Sequence, residues 1–240
     1  MQRCDPEIEK ANPLIVAYDG KPREVVFSYL DILRPTGCIA KVNDLLHSGD
    51  INEVISDISV YARVMVDPKW HDIPNTLIND CKRLRKTPPW AVTVHASGAS
   101  EMIKAAVDTL AGTPTIVLAV TLLTSIKDQS QEIFRRRPMG QVKKLAEIAY
   151  KAGARGFVCS SEEAAVLRET YSDAIIVIPG LRSPGKEKHE QKRTGTYTHA
   201  KEIGGNFFVG GRQFLEAADP VAEIMRVLQE ELVCIPKSEK

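Results

Sequence analysis

Eight short apolar runs, each followed by a longer amphipathic or polar stretch, limit what this 240-residue chain can fold into. The runs are LIVAYDG (14–20), CIAKVND (38–44), YARVMVDPK (61–69), AVTVHA (91–96), TIVLAVTLL (115–123), GFVCSS (156–161), AIIVIPG (174–180) and NFFVGGR (206–212). Their length and β-branched content predict strands, and several are apolar almost throughout, as parallel strands covered on both faces are. Between them, SGASEMIKAAVDTLAG (97–112) predicts a helix with a serine available to cap its start and Gly112 at its end. GQVKKLAEIAYKAG (140–153) predicts another, closed by Gly153. Eight βα units in this length match the size and rhythm of a (β/α)8 TIM barrel, an α/β fold, with a doubly wound open sheet as the alternative. No Pro/Gly/Ser-rich linker divides the chain. Residues 1–240 are therefore expected to form a single barrel domain, with an extension at 1–12 and a tail at 233–240. The stretch KDQSQEIFRRRPM (127–139) reads as an irregular loop on the active face, with room for one helical turn.

Composition removes several classes of partner. A hydrophobic content of 43% supports a sizeable core. A net charge of +1 and a pI of about 7.6 leave no global field to draw the chain to nucleic acid or an anionic membrane. Arg135, Arg136 and Arg137 form a local basic run without interleaved aromatics, which reads as a solvated loop or a helix start. Cys4, Cys38, Cys81, Cys159 and Cys234 are odd in number and lack C-x-x-C spacing, as reduced thiols in a cytoplasmic protein would be. No apolar run reaches the roughly 18 residues of a membrane span, and MQRCDPEIEKANP lacks the apolar region of a signal peptide, so a cytoplasmic location is expected.

In a barrel the chemistry sits at the C-terminal ends of the strands. Asp19 ends the first predicted strand, Lys41 lies in the second, and VMVDPKWHDIPNT (64–76) carries Asp67, Lys69 and Asp72 at and beyond the end of the third. Strand alternation points Asp67 and Lys69 to one face, shared with Met65. Burying such charges costs several kcal/mol or more unless they are paired. Asp67 and Lys69 alone could be a structural ion pair, but Lys41 and Asp72 beside them favour a site. His95 ends the fourth run and reads as a satisfied core histidine rather than a catalyst. Thr121, Thr124 and Ser125 follow the fifth. After the eighth run stand Gly210, Gly211 and Arg212, where many barrels bind phosphate through accessible backbone N–H groups. The glycine pair could merely make a tight turn, and the charged loop from Lys186 to Arg193 could be a solvated face. A guanidinium, however, suits the forked recognition of phosphate oxygens.

Taken together these motifs resemble the orotidine 5′-phosphate decarboxylase family, from LIVAYDG to VGGR. The most specific element is D-P-K-W-H-D-I-P-N-T (67–76), against a family pattern D-x-K-x-x-D-I-P-x-T. The D-x-K-x-x-D core is shared with related sugar-phosphate decarboxylases. TVHASG, AVTLLTS, GFVCSSEEA, PGLR, EQKR and GGR follow in order. The departures are AYDG where the family usually has A-L-D, KVND where K-x-G is common, IPGLR for T-P-G-I-R, and GRQ for G-R-P. They affect packing at the substrate's edge more than the chemistry.

The resemblance implies a cofactor-free enzyme without a metal that converts orotidine 5′-phosphate to UMP as a homodimer. It assigns Asp19 to the ribose and Lys41 to the charged network around ribose and carboxylate. Asp67 lies against the reacting carboxylate, and Lys69 is the proton donor. Asp72 is delivered across the dimer interface, and Ile73 and Thr76 of the same segment join the substrate-binding set. Thr124 binds the base, while Arg182, Gln191, Gly211 and Arg212 hold the 5′-phosphate. Carboxylates beside a lysine favour its charged form, the opposite of what a Schiff-base lysine requires, which counts against an aldolase. A magnesium-dependent phosphosugar decarboxylase of the 3-keto-gulonate 6-phosphate type and a non-catalytic nucleotide-binding barrel are the alternatives.

Overall fold

The computed structural model describes residues 12–124, 126, 130–135, 137–185 and 195–233. Eight parallel strands close on themselves in sequence order, so the barrel reading holds over the open sheet. They are β1 (Leu14–Ala17), β2 (Ile39–Val42), β3 (Val64–Trp70), β4 (Ala91–His95), β5 (Ile116–Val120), β6 (Gly156–Val158), β7 (Ile175–Ile178) and β8 (Phe207–Gly210). Closure runs through β1 against β8, with Ile15 opposite Val209. Each strand is shorter than its apolar run, except that β3 gains Trp70. Residues 61–63, expected to begin β3, do not, because the Tyr61 and Ala62 N–H groups still bond to Ile58 at the end of the preceding helix.

Strand alternation sorts the side chains into two cores. Ile15, Ile39, Met65, Ala91, Leu118, Ile175, Val177, Phe207 and Val209 pack inside the barrel, while alternate residues such as Val16, Val66 and Val92 pack against the helices. The outer ring comprises α1 (Arg23–Leu33), α2 (Ile51–Ser59), α3 (Pro74–Leu84), α4 (Ala99–Leu110), α5 (Ser130–Phe134), α6 (Pro138–Lys151), α7 (Ser161–Thr170), α8 (Tyr197–Glu202), α9 (Arg212–Leu215) and α10 (Pro220–Arg226). In α4 the buried Met102, Ile103, Ala106 and Leu110 follow the helical period. No serine caps α4: Ser97 lies in a 3-10 turn, and Gly98 takes the cap position without a side-chain bond. Gly153, at φ +96°, closes α6 as expected, and the Ala154 N–H returns to the Ala149 carbonyl at 3.0 Å.

The 127–139 stretch is more regular than a loop, since α5 occupies part of it and α6 starts at Pro138, a residue suited to a first helical turn. Arg135 and Arg137 are exposed, and Arg137 is the N-cap of α6; Arg136 lies outside the described residues. Cys38, Cys81 and Cys159 are free and buried, and Cys4 and Cys234 lie outside the described residues. Among the described residues, no helix is long and apolar enough to cross a membrane.

Candidate active site

The barrel interior continues one step up each strand from its apolar layer. Two residues beyond Ile39 comes Lys41, beyond Met65 comes Asp67, and beyond Ala91 comes Thr93. All three are buried, so the alternation that builds the core also aims these polar groups inward. Asp67 Oδ2 lies 3.0 Å from Lys41 Nζ and 2.8 Å from Lys69 Nζ. Lys41 Nζ also lies 2.6 Å from Asp19 Oδ2. Only Lys41 and Asp67 of the four are buried; their opposite charges, with Asp19 exposed and Lys69 partly exposed beside them, make that burial tolerable.

Burial alone would push the Lys41 ammonium towards neutrality, but Asp67 and Asp19 more than reverse it and raise its pKa above the ordinary lysine value. Burial likewise works against the Asp67 carboxylate, yet Lys41 and Lys69, with hydrogen bonds from Lys69 and Thr93, hold its pKa below the ordinary value. The two lysines are not equivalent. Lys41 is clamped between two carboxylates with its side chain 9% exposed, whereas Lys69 touches one and is 31% exposed.

Lys69 does not follow simple strand alternation. Its φ is +50°, in the left-handed region that a lysine rarely occupies. Against β4, Val66 pairs with Val92 but Trp70 with Val94, so four steps along β3 match two along β4. This bulge re-aims the lysine. Thr93 supports it: its hydroxyl accepts the Lys69 N–H at 3.0 Å and donates to Asp67 Oδ1 at 2.7 Å. Thr93 was not among the residues singled out from sequence, although alternation inward from Ala91 in β4 carried the signal.

A cavity of about 550 Å³ opens at the C-terminal ends of the strands, and Asp19, Lys41, Asp67 and Lys69 line it. Thr124, Arg182, Gly211 and Arg212 line it as well, so residues separated by more than half the chain meet at one rim. Lys21, which sequence reasoning passed over despite its nearness to Asp19, is a further lining cation. No carboxylate among the described residues forms an ion pair with Arg182 or Arg212. Gly210 serves packing, because a Cβ there would meet Phe214 at 2.3 Å. Gly211 instead leaves room, since a Cβ there would meet nothing nearer than the Ala17 carbonyl oxygen at 3.5 Å.

Three predicted residues are not brought to this cavity within one chain. Asp72 is exposed, its carboxylate accepting the Ile73 N–H at 2.7 Å, and neither Ile73, 65% exposed, nor Thr76 lines the cavity. Gln191 lies outside the described residues. His95 is half-buried, its ring centroid 5.6 Å from that of His71, and burial followed by the charges of His71 and Lys69 pushes its pKa down. It is therefore neutral near pH 7, and no described side chain hydrogen-bonds to it.

Fold and cavity together define a class, a closed (β/α)8 barrel with a charged cavity at the C-terminal ends of its strands, where barrel enzymes carry their chemistry. Comparison with known proteins narrows it. The family model for orotidine 5′-phosphate decarboxylase / HUMPS matches residues 12–227, and the chain belongs to this family. It is 32% identical to an orotidine 5′-phosphate decarboxylase of Chromobacterium violaceum, covering 96% of each chain. It is 34% identical to one of Pseudomonas putida, covering 91% of this chain and 96% of that one. The crystal structure of orotidine 5′-phosphate decarboxylase from Lactobacillus acidophilus superposes with a TM-score of 0.79 at 35% identity, covering 91% of this chain and 98% of that one.

Proposed function

We propose that this chain decarboxylates orotidine 5′-phosphate to UMP in pyrimidine biosynthesis, without a cofactor, through the charged array at the ends of β2 and β3. The observation that carries the reading is the Asp67 carboxylate held between two ammonium groups, one of which, Lys69, remains open to the cavity.

Loss of carbon dioxide from the pyrimidine leaves an electron pair at ring carbon 6 with no adjacent carbonyl placed to absorb it. A fixed ammonium stabilises that charge by its field and then quenches it by proton transfer. Lys69 fits this role better than Lys41, whose two carboxylate partners occupy it. In this reading Asp19 and Lys41 hold the ribose, Asp67 faces the reacting carboxylate, Thr124 meets the base, and Arg182, Gln191, Gly211 and Arg212 receive the 5′-phosphate. Asp72, Ile73 and Thr76 complete the site from the partner subunit of a homodimer, consistent with the exposure of Asp72 and Ile73 in one chain. Binding of the phosphate far from the reacting carbon supplies energy that orders the site.

The test is to mix purified protein with orotidine 5′-phosphate and follow the absorbance change as UMP forms, with and without a chelator. Turnover that survives chelation is expected. Activity lost on chelation, with turnover of a keto-hexonate phosphate in magnesium, would favour the phosphosugar branch, which shares the D-x-K-x-x-D core. In the same assay Lys69→Ala should collapse the rate while UMP still binds. A Lys69→Ala protein within about tenfold of the parent, or about 1.4 kcal/mol in barrier, would remove Lys69 as proton donor.

A further inference from the structure

The cationic rim is fastened from behind by a cluster that the proposed chemistry does not use. Ser183 follows Arg182 in sequence and is 5% exposed. Its N–H donates to Gln213 Oε1 at 2.9 Å. Its hydroxyl donates to Glu231 Oε1 at 2.5 Å and accepts from Gln213 Nε2 at 2.5 Å and Arg226 Nη2 at 2.8 Å. One donor and two lone pairs are all that a hydroxyl has, so Ser183 is saturated. Gln213 follows Arg212, and its amide also donates to Glu223 Oε1 at 2.9 Å. Arg226 completes the cluster with a fork onto Glu223, at 2.9 and 3.0 Å, and a bond to Glu231 Oε1 at 3.0 Å.

The two arginines proposed to hold phosphate are thus each followed by a residue bonded to the other's neighbour. Arg182 lies in the loop after β7, its N–H bonded to the Gly195 carbonyl at 3.0 Å, and Arg212 starts α9, a helix of only four residues. Neither residue sits in a long regular element. The bonds between Ser183 and Gln213 join them, and Arg226, at the end of α10, and Glu231, at the end of the helical segment Val227–Glu231 that follows it, brace the joint. The GRQ departure from the common G-R-P gains a purpose here, since proline has no amide to make these bonds.

We propose that Ser183, Gln213 and Arg226 are positioning residues that set the spacing of Arg182 and Arg212 and so the grip on the phosphate of the ligand. The proposal rests on the phosphate reading above. A cluster that merely anchored the C-terminal segment would change stability without distinguishing phosphorylated from unphosphorylated ligands. One that positions the arginines changes that distinction.

The experiment compares kcat/KM for orotidine 5′-phosphate and for orotidine in the parent, Ser183→Ala, Gln213→Leu and Ser183→Thr, with UMP affinity measured by calorimetry and Tm recorded for each. Ser183→Ala and Gln213→Leu should cut the advantage of the phosphorylated substrate about tenfold or more, mainly through KM, and weaken UMP binding in parallel. Ser183→Thr, which keeps the hydroxyl, should retain most of it. An active parent whose advantage and UMP affinity stay within about twofold in both variants, whatever happens to Tm, would overturn the inference alone. A parent that neither turns over orotidine 5′-phosphate nor binds UMP would overturn the functional reading and this inference with it. Ser183→Ala removes a single hydroxyl and keeps the test open if Gln213→Leu does not fold.

Discussion

Lys69 occupies a left-handed backbone conformation that its side chain does not favour, and Thr93 supplies the compensation. Thr93→Val, nearly the same shape, leaves the Lys69 N–H and Asp67 Oδ1 without that partner. A buried group stripped of its hydrogen bond costs about 1–3 kcal/mol. Thr93→Val should therefore lower Tm and reduce kcat by about tenfold or more with little change in KM, and Thr93→Ser should recover most of both. An unchanged kcat in Thr93→Val would show that the bulge holds without it. Asp67 gives a pH prediction. Its folded pKa lies below the unfolded one, so its ionised form stabilises the fold fully above the unfolded value, about 3.9, and that stability is lost as pH falls through the folded value. The Tm difference between the parent and Asp67→Asn should be constant around neutrality and narrow below about pH 4. A difference that persists into stronger acid would contradict the lowered pKa. At this scale the sequence made Lys41, Asp67 and Lys69 legible because charges stood in apolar runs. Thr93 escaped notice because a threonine in a strand is ordinary there, and its role depends on a bulge that no spacing announces.

Strands and helices were read correctly in kind because burial on two faces and the helical period both leave marks in the apolar pattern. Their ends were less legible. The run at 61–69 includes a helix exit, and 127–139 contains α5 and the start of α6, since residues favourable to a turn are also favourable to a first helical turn. At the end of β8 the glycine pair divides its work: Gly210 admits Phe214, and Gly211 opens towards the cavity beside Arg212. With α9 only four residues long, the guanidinium rather than a helix dipole is the dominant attraction for an anion there. Arg212→Ala should therefore reduce kcat/KM for orotidine 5′-phosphate about a hundredfold while changing that for orotidine severalfold at most. Equal losses on the two substrates would take Arg212 out of the phosphate site.

Across the whole molecule, closure of the barrel gathers at one cavity residues that lie far apart in sequence, from Asp19 to Arg212. Eight repeated units made that closure legible. The place of Asp72 was not legible from composition or periodicity, because it lies beyond β3 on an exposed turn, and its carboxylate caps the Ile73 N–H instead of joining the array. Only the resemblance supplied a partner subunit as its destination. In a two-fold dimer each contact is made twice, so a Lys69→Ala subunit paired with an Asp72→Asn subunit leaves one site with both defects and one with neither. Whether a charged array completed across two subunits performs the decarboxylation is tested most directly by mixing these two inactive variants, dissociating them and allowing random reassociation. Half the dimers are then mixed, each with one intact site of two, and turnover of orotidine 5′-phosphate should return to roughly a quarter of the parent's. No recovery, with mixed dimers demonstrably present, would mean that Asp72 does not complete the site of its neighbour.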